Sequence, residues 1–323
     1  METASEDMYS NELRDSFGRG MNTLSDNYKL PADRVEMERL STQHRMWKLL
    51  VGGLYPPALQ APVAKALGGA TPIILDAGCG SAAWPAEMAE LFPSAHAVGV
   101  DLAVHFEKTL PSNFEFIQTD LSEGLPACRD PAGYDLIHAR SLHTHLKDPA
   151  AFMRHVENAL KPGGIFIVGD FSLGTFDRHK VQLRPRFPTD ADQDLDGAWF
   201  AGWQELWVGD IIGNTLGIDA LLERGALSPI FSRKYFCPVG WAGDDVENGA
   251  ELGDIMLQNT KQFVRAGLPA LLADGKFSRE QLDFWIDAME DEFKTKKLYF
   301  TLDLAAAVKA PQILTAPDSR DII

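Results

Sequence analysis

The chain has 323 residues, 45% of them hydrophobic and 24% charged, the balance of a soluble globular protein built as one large domain or as a core domain with an appendage. Its formal net charge is −16 and it has no Lys/Arg run, which excludes nucleic acid as a primary partner because such a chain repels phosphate backbones. No apolar run is long enough to cross a bilayer, so no membrane role is expected, and the acidic start METASEDMYSNELRDS is unlike a targeting peptide.

Residues 1–20 are polar and are expected to be loosely ordered. Residues 21–68 are assigned to an N-terminal helical cover, with Val35, Leu40, Trp47 and Leu50 roughly on one face. From Ile73 to Val168, strands and helices alternate: PIILDA, AHAVGVDL, FEFIQTDL, YDLIHAR and IFIVGD read as strands. Between them, AAWPAEMAELF reads as a helix with Pro85 in its first turn. DPAAFMRHVENAL reads as another, capped by Asp148, with Pro149 at its first position. This alternation predicts a parallel sheet with helices on both faces. After Asp170 the texture changes. WFAGWQELWVGDIIGNTL is a predicted helix, IFSRKYFCPVGW a strand, 244–297 helical with a Ser278/Gln281 capping box, and LYFTLDLAAAVKA the last strand. The catalytic domain is therefore set at 69–310, with substrate-cap insertions at 171–230 and 238–297, the second between the last two strands, and a tail at 311–323. Cys79, Cys128 and Cys237 lack disulfide or metal spacing and fit a reducing compartment: the cytoplasm is expected, the nucleus the alternative.

IILDAGCGSAAW, residues 73–84, reads as a buried strand running through glycines into a helix, the usual cradle of a nucleotide-type cofactor. The letters satisfy a relaxed dinucleotide pattern, so the glycines alone leave a dehydrogenase open. Three carboxylates at successive strand ends decide against it. Asp76, two residues before Gly78, repels a pyrophosphate but welcomes an ammonium and a sulfonium. Asp101 can accept both hydroxyls of a ribose, and Asp120 the amino group of an adenine. Together they suit a cationic adenosine cofactor.

With ILDAGCGSA, VGVDLA, IQTDLSEGLP, YDLIHARSLHTHLKD and LKPGGIFIVGD in order over about residues 70–172, the chain resembles the class I S-adenosylmethionine-dependent methyltransferases. One departure is Ala82, where the family often has a third glycine. The segments DNYKLPADRVEMERLSTQHRMWKLLVGGLYPP and KYFCPVGWAGDDVENGAELGDIMLQN, with Trp84, are similar to the fungal LaeA-like branch. The resemblance implies a seven-stranded, mostly parallel, Rossmann-like α/β sheet, N-terminal helices closing over the cofactor, and S-adenosylmethionine as donor with S-adenosylhomocysteine as product. It implies donor contacts from Tyr28, Asp76, Gly78, Cys79, Gly80, Trp84, Asp101, Leu102, Asp120, Leu121, Arg140 and Ser141. The methionine part falls to Gly78, Gly80, Arg140 and Ser141, the ribose to Asp101, and the adenine to Asp120 and Leu121. Plainer readings stand beside these: a structural turn for the glycines, a helix cap for Asp120, ordinary packing for Tyr28.

His143 and His145 follow the fourth strand at a spacing that raises metal binding, but no Cys or Glu partner accompanies them and the family transfers methyl groups without metal, so none is expected. A general base is the better reading, with Asp170 as rival base or substrate contact. Trp199, Trp203 and Trp207 recur every fourth residue; such a stripe is usually core. Trp199, Trp203, Phe236 and Trp241 are nevertheless the expected walls of an acceptor pocket, one tryptophan facing it and the others packing. The leading expectation is a monomer or homodimer that methylates a small molecule of secondary metabolism, more often on oxygen than on nitrogen or carbon. The alternative is a LaeA-like regulator acting through protein partners.

Overall fold

The computed structural model describes residues 12–103, 110–189, 197–212, 217–223 and 225–311; residues 1–11 and 312–323 of the expected loose start and tail lie outside it. Strands β1 (Arg14–Ser16) and β2 (Arg19–Met21) form a hairpin that begins in the segment expected to be loose and ends at the first residue of the expected cover. It is held down by Arg19, whose guanidinium donates to both oxygens of Asp33 at 2.7 and 2.9 Å. Asp33 also caps helix α1 (Arg34–Val51) by accepting from the Glu36 N–H. The buried side of α1 carries Met37, Met46, Trp47 and Val51, whereas Val35 is exposed. Five residues separate Val35 from Leu40, about 140° around a helix of 3.6 residues per turn, so the face expected from the sequence was wrongly drawn there.

Helix α2 (Gln60–Ala66) leads into strand β3 (Ile73–Ala77), helix α3 (Ala83–Leu91), strand β4 (His96–Asp101), strand β5 (Phe114–Gln118), strand β6 (Tyr134–Arg140), helix α4 (Pro149–Ala159) and strand β7 (Leu160–Phe176). A small pair, β8 (Arg184–Pro185) and β9 (Gly197–Ala198), precedes α5 (Trp199–Glu205), which passes into a π-helical turn at Leu206–Ile212, then α6 (Ile218–Glu223). Strand β10 (Ser228–Val239), helices α7 (Gly249–Asp274) and α8 (Arg279–Thr295), and strand β11 (Leu298–Val308) complete the chain. The caps read from the sequence are present: Asp148 accepts from Ala151 N–H, and Ser278 and Gln281 form a reciprocal box.

The central sheet has seven strands in the order β10-β11-β7-β6-β3-β4-β5; β11 is antiparallel to both neighbours and the other pairings are parallel. This is the seven-stranded, mostly parallel sheet that the resemblance implied. Alternation along the strands divides the core in two. Ile74, Leu136 and Ile167 join Trp47 of α1, Trp84 of α3, Trp203 of α5, Met256 of α7 and Trp285 of α8. Leu75, Ile137 and Phe166 join Phe152 of α4 and Leu221 of α6. Trp47 lies close over β7 because position 169 is glycine: a Cβ there would sit 3.1 Å from its ring.

The order of strands sets the place of the site. From β3 the chain builds outward through β4 and β5 on one side, while β6 and β7 lie on the other, so direction reverses between β3 and β6. Open α/β sheets bind ligands beyond the carboxyl ends of the strands at such a reversal. Among the described residues no helix is long and apolar enough to cross a membrane.

Candidate active site

The glycine turn is built at the end of β3. Gly78 and Gly80 have φ of 73° and 53°, a region that side chains with a Cβ rarely adopt. The Gly78 and Cys79 N–H groups donate to Val100 O at 2.8 and 2.9 Å, tying the turn to β4. Asp101 finishes the construction: its Oδ2 accepts from Gly80 N–H at 2.8 Å and its Oδ1 from Leu102 N–H at 2.7 Å. Burial pushes the Asp101 carboxyl above its ordinary value, and these N–H donors pull it back. Ala82 has φ of 55°, so the position where the family often has glycine is a left-handed one. The Cys79 thiol is buried and its pKa is raised, which leaves it an unreactive wall.

Two buttressed charges stand at the reversal point. Asp76 Oδ1 lies 2.7 Å from His138 Nδ1, and the His138 ring stacks on Trp84 with centroids 3.8 Å apart. Trp84 is fixed in turn by its Nε1 donating to Leu54 O at 2.8 Å. Burial holds His138 below its usual pKa despite the carboxylate beside it, so it is a neutral prop. Arg140 Nη2 lies 3.0 Å from His44 Nδ1, and burial lowers its pKa to about 10, still charged at neutral pH. Ser141 follows with φ of 54°, and its hydroxyl oxygen is buried with no hydrogen-bond partner.

His143 and His145 lie in one 3-10 turn, His143–His145. At three residues per turn, positions two apart point in different directions, and the two rings part accordingly. His143 turns inward, with Nδ1 2.7 Å from Asp170 Oδ2, and does not reach the cavity wall; His145 and Asp170 do. Asp170 is held further by accepting from Phe171 N–H at 2.8 Å. Burial lowers the His145 pKa to about 4, its Nδ1 is buried without a partner, and its ring lies 5.0 Å from that of Tyr28. Burial raises the Tyr28 phenol, which keeps its proton.

One cavity gathers these groups. Every residue assigned to the donor from the sequence lines it: Tyr28, Asp76, Gly78, Cys79, Gly80, Trp84, Asp101, Leu102, Asp120, Leu121, Arg140 and Ser141. Asp120 also caps a short 3-10 turn by accepting from Ser122 N–H at 2.9 Å, so the plainer reading of that residue holds alongside. The aromatic lining of the cavity differs from the set expected for an acceptor pocket. Trp199, Trp203, Phe236 and Trp241 are all absent from the lining; Phe171, Phe200, Trp207, Met256, Phe263 and Phe300 form it. Trp199 sits under the Arg186 guanidinium at 4.2 Å, Trp203 packs on Trp285 at 5.4 Å, Phe236 on Phe176 at 5.2 Å, and Trp241 on Tyr299 at 4.9 Å. Periodicity found the tryptophan stripe but not which member faces the cavity, because the helix turns from α to π between Trp203 and Trp207.

Sequence reading also missed a buried polar group on the cavity. Arg39 Nη2 and Nε donate to Glu36 at 2.6 to 3.0 Å, and its Nη1 donates to Asn259 Oδ1 at 3.1 Å. Arg39 and Asn259 line the cavity and are 220 residues apart, so no spacing signal connects them. Among the described residues there is no cluster of three or more His, Cys, Asp or Glu that could hold a metal.

The residues around the glycine turn fit a cationic nucleoside. Asp76, Asp101 and Asp120 face one space with the unpartnered Ser141 hydroxyl, and of the basic residues there Arg39 is already neutralised by Glu36. A pyrophosphate would meet mostly carboxylates.

Residues 71–207 match the methyltransferase domain family. A secondary metabolism regulator laeA of Coprinopsis cinerea is 30% identical over 59% of this chain and 46% of its own. Methyltransferase str2 of Strobilurus tenacellus is 31% identical over 44% of this chain and 48% of its own. A protein-methionine methyltransferase laeA of Emericella nidulans is 28% identical over 58% and 43%. The matches thus span somewhat under half the length of these relatives. With the strand order, the glycine turn and the strand-end carboxylates, these similarities mark residues 71–207 as a methyltransferase domain of the class I S-adenosylmethionine-dependent kind, similar to that of the fungal LaeA-like proteins.

Proposed function

We propose that the chain transfers a methyl group from S-adenosylmethionine to an oxygen of a small acceptor with a flat, apolar body. The observation that carries this reading is the continuity of one cavity. Its floor is the glycine turn and the carboxylates of Asp76, Asp101 and Asp120; its far walls are Phe171, Phe200, Trp207 and Phe263; His145 and Asp170 stand among them. Aromatic walls that continue from the polar donor end leave a concave space suited to a small acceptor with an apolar body.

Asp101 would hold the ribose hydroxyls, Asp120 and Leu121 the adenine, and Asp76, Arg140 and Ser141 the amino-acid end. Bound there, the donor supplies an electrophilic methyl group on a positively charged sulfur. What the chain adds is chiefly alignment, with reacting atoms held about 3 Å apart. His145 is neutral at physiological pH and accepts a hydrogen bond from the acceptor's hydroxyl. As the C–O bond forms and the methyl–sulfur bond breaks, with S-adenosylhomocysteine as the leaving group, the hydroxyl proton would pass to the imidazole, and the negative field of Asp170 favours the resulting cation. A base so weakened by burial takes the proton late, which suits an acid already inclined to lose it, such as a phenol. His143 keeps Asp170 in place from behind.

The test has two steps. S-adenosylhomocysteine should raise the melting temperature where NAD does not, since a ligand at one hundred times its Kd adds about 2.7 kcal/mol. Then donor labelled in the methyl group is offered to phenols, hydroxy acids and amines, and separately to protein extract. Label in phenols supports the proposal; label only in protein supports a regulator that modifies protein, the reading favoured by the name of the Emericella nidulans relative.

A further inference from the structure

We infer that His44 is a positioning residue for the donor: by accepting from Arg140 it aims that guanidinium at the carboxylate of the donor's amino-acid end, so the N-terminal helix takes part in holding the methyl donor. The inference rests on the donor reading of the cavity.

Three elements meet at this point: α1 with His44 and Lys48, α3 with Glu87, and the end of β6 with Arg140. A guanidinium has only donors. His44 Nδ1, 3.0 Å from Arg140 Nη2, must therefore be the lone-pair nitrogen, and the hydrogen sits on Nε2, 3.2 Å from Glu87 Oε1. Lys48 pairs with the other oxygen of Glu87. The hydrogen bond to Glu87 thus fixes the tautomer that Arg140 requires. Burial and the charges of Arg140 and Lys48 keep His44 neutral, against the pull of Glu87.

Neutrality is the informative property. A carboxylate at position 44 would quench Arg140 and compete with an anionic ligand; a neutral acceptor orients the guanidinium and leaves its charge unspent. No described carboxylate pairs with Arg140: Glu87 is turned to His44 and Lys48, and Asp76 Oδ1 to His138. Arg140 lines the cavity, with the Trp47 ring 5.8 Å from its centre. A guanidinium left over in this way is matched by a carboxylate, with which it forms paired, charge-assisted bonds.

The test compares two probes by calorimetry: S-adenosylhomocysteine, and 5′-methylthioadenosine, which has the same nucleoside and sulfur but no amino-acid end. His44→Leu should weaken the first at least tenfold and leave the second within twofold. His44→Asn places an amide oxygen near the position of Nδ1 and should recover most of the loss; His44→Gln, which reaches only toward Glu87, should not. Equal weakening of both probes by His44→Leu, or unchanged affinity for S-adenosylhomocysteine, overturns the inference. If the leucine variant does not fold, the asparagine and glutamine variants decide: equal affinities for S-adenosylhomocysteine overturn it. Failure of the unaltered protein to bind either probe would instead remove the donor reading itself.

Discussion

Asp101 holds the glycine turn and, in the proposed site, would hold the donor as well. Its two oxygens accept from Gly80, Leu102 and Ala103 N–H, so Asp101→Ala takes the acceptor from three backbone donors. Each orphaned donor costs about 1–3 kcal/mol. The variant should therefore lose stability in urea melts as well as affinity for S-adenosylhomocysteine, and an unchanged melt would mean that the turn holds without its carboxylate. His145 gives a pH prediction. Its folded pKa, about 4, lies below the ordinary 6.5. Stability from this group is full above the unfolded value and is lost as pH falls from there toward 4, because the unfolded chain takes up the proton first. Thermal melts should decline over that window, and His145→Asn should flatten the decline while lowering kcat by about 10²-fold or more, the range of a lost acid–base group. A variant that keeps full turnover would leave alignment alone, or Asp170, as the whole of catalysis.

At the level of elements, α1 is a working part of the cavity. It supplies Trp47 to the core, Leu40 to the cavity wall and Arg39 to a buried cluster with Glu36 and Asn259 of α7. Taking one member from a buried ion pair costs about 3–5 kcal/mol, whereas replacing both with apolar groups of similar volume is often neutral. Arg39→Met should thus destabilise strongly, and Glu36→Leu with Arg39→Met should restore most of the melt. If the double variant is as unstable as the single one, the cluster ties α1 to α7 through Asn259 rather than through charge balance. Helix α5 and the π turn after it divide labour between neighbours. Trp203 is wholly buried on Trp285, while Trp207, against Phe263, lines the cavity. Both rings lean on Gly267 of α7, where a Cβ would lie 2.9 Å from Trp207 and 3.3 Å from Trp203. Trp203→Ala should cost about 3–5 kcal/mol as a core truncation. Trp207→Ala should show mainly in KM for the acceptor; the reverse pattern would contradict this division.

For the molecule as a whole, what the sequence made legible follows from where information is local. Strand ends such as Asp76, Asp101, Asp120 and Arg140 stand out because a polar residue closes an apolar run, and a parallel sheet brings such ends together by its nature. The aromatic walls of the cavity were not legible, since α5 and α7 approach the sheet from insertions whose angle no period encodes. Nor was the inward turn of His143 toward Asp170, a contact across 27 positions between the turn after β6 and the interior of β7. The N-terminal cover belongs to the second kind. Asn22, Ser25, Tyr28 and Leu30 line the cavity, and their segment is anchored by Arg19 on Asp33 at one end and by the cap that Asp33 gives α1 at the other. The pair is about one-fifth exposed on each side, so its own contribution to stability is small, of the order of 1 kcal/mol. Its effect should appear instead where the cover closes. Arg19→Ala should melt within a few degrees of the unaltered protein, bind S-adenosylhomocysteine several-fold more weakly, and be cut faster by protease between residues 20 and 33, with saturating ligand restoring protection. Equal protection with and without ligand in both proteins would mean that the cover is a fixed wall, and that donor and acceptor reach the glycine turn by another path.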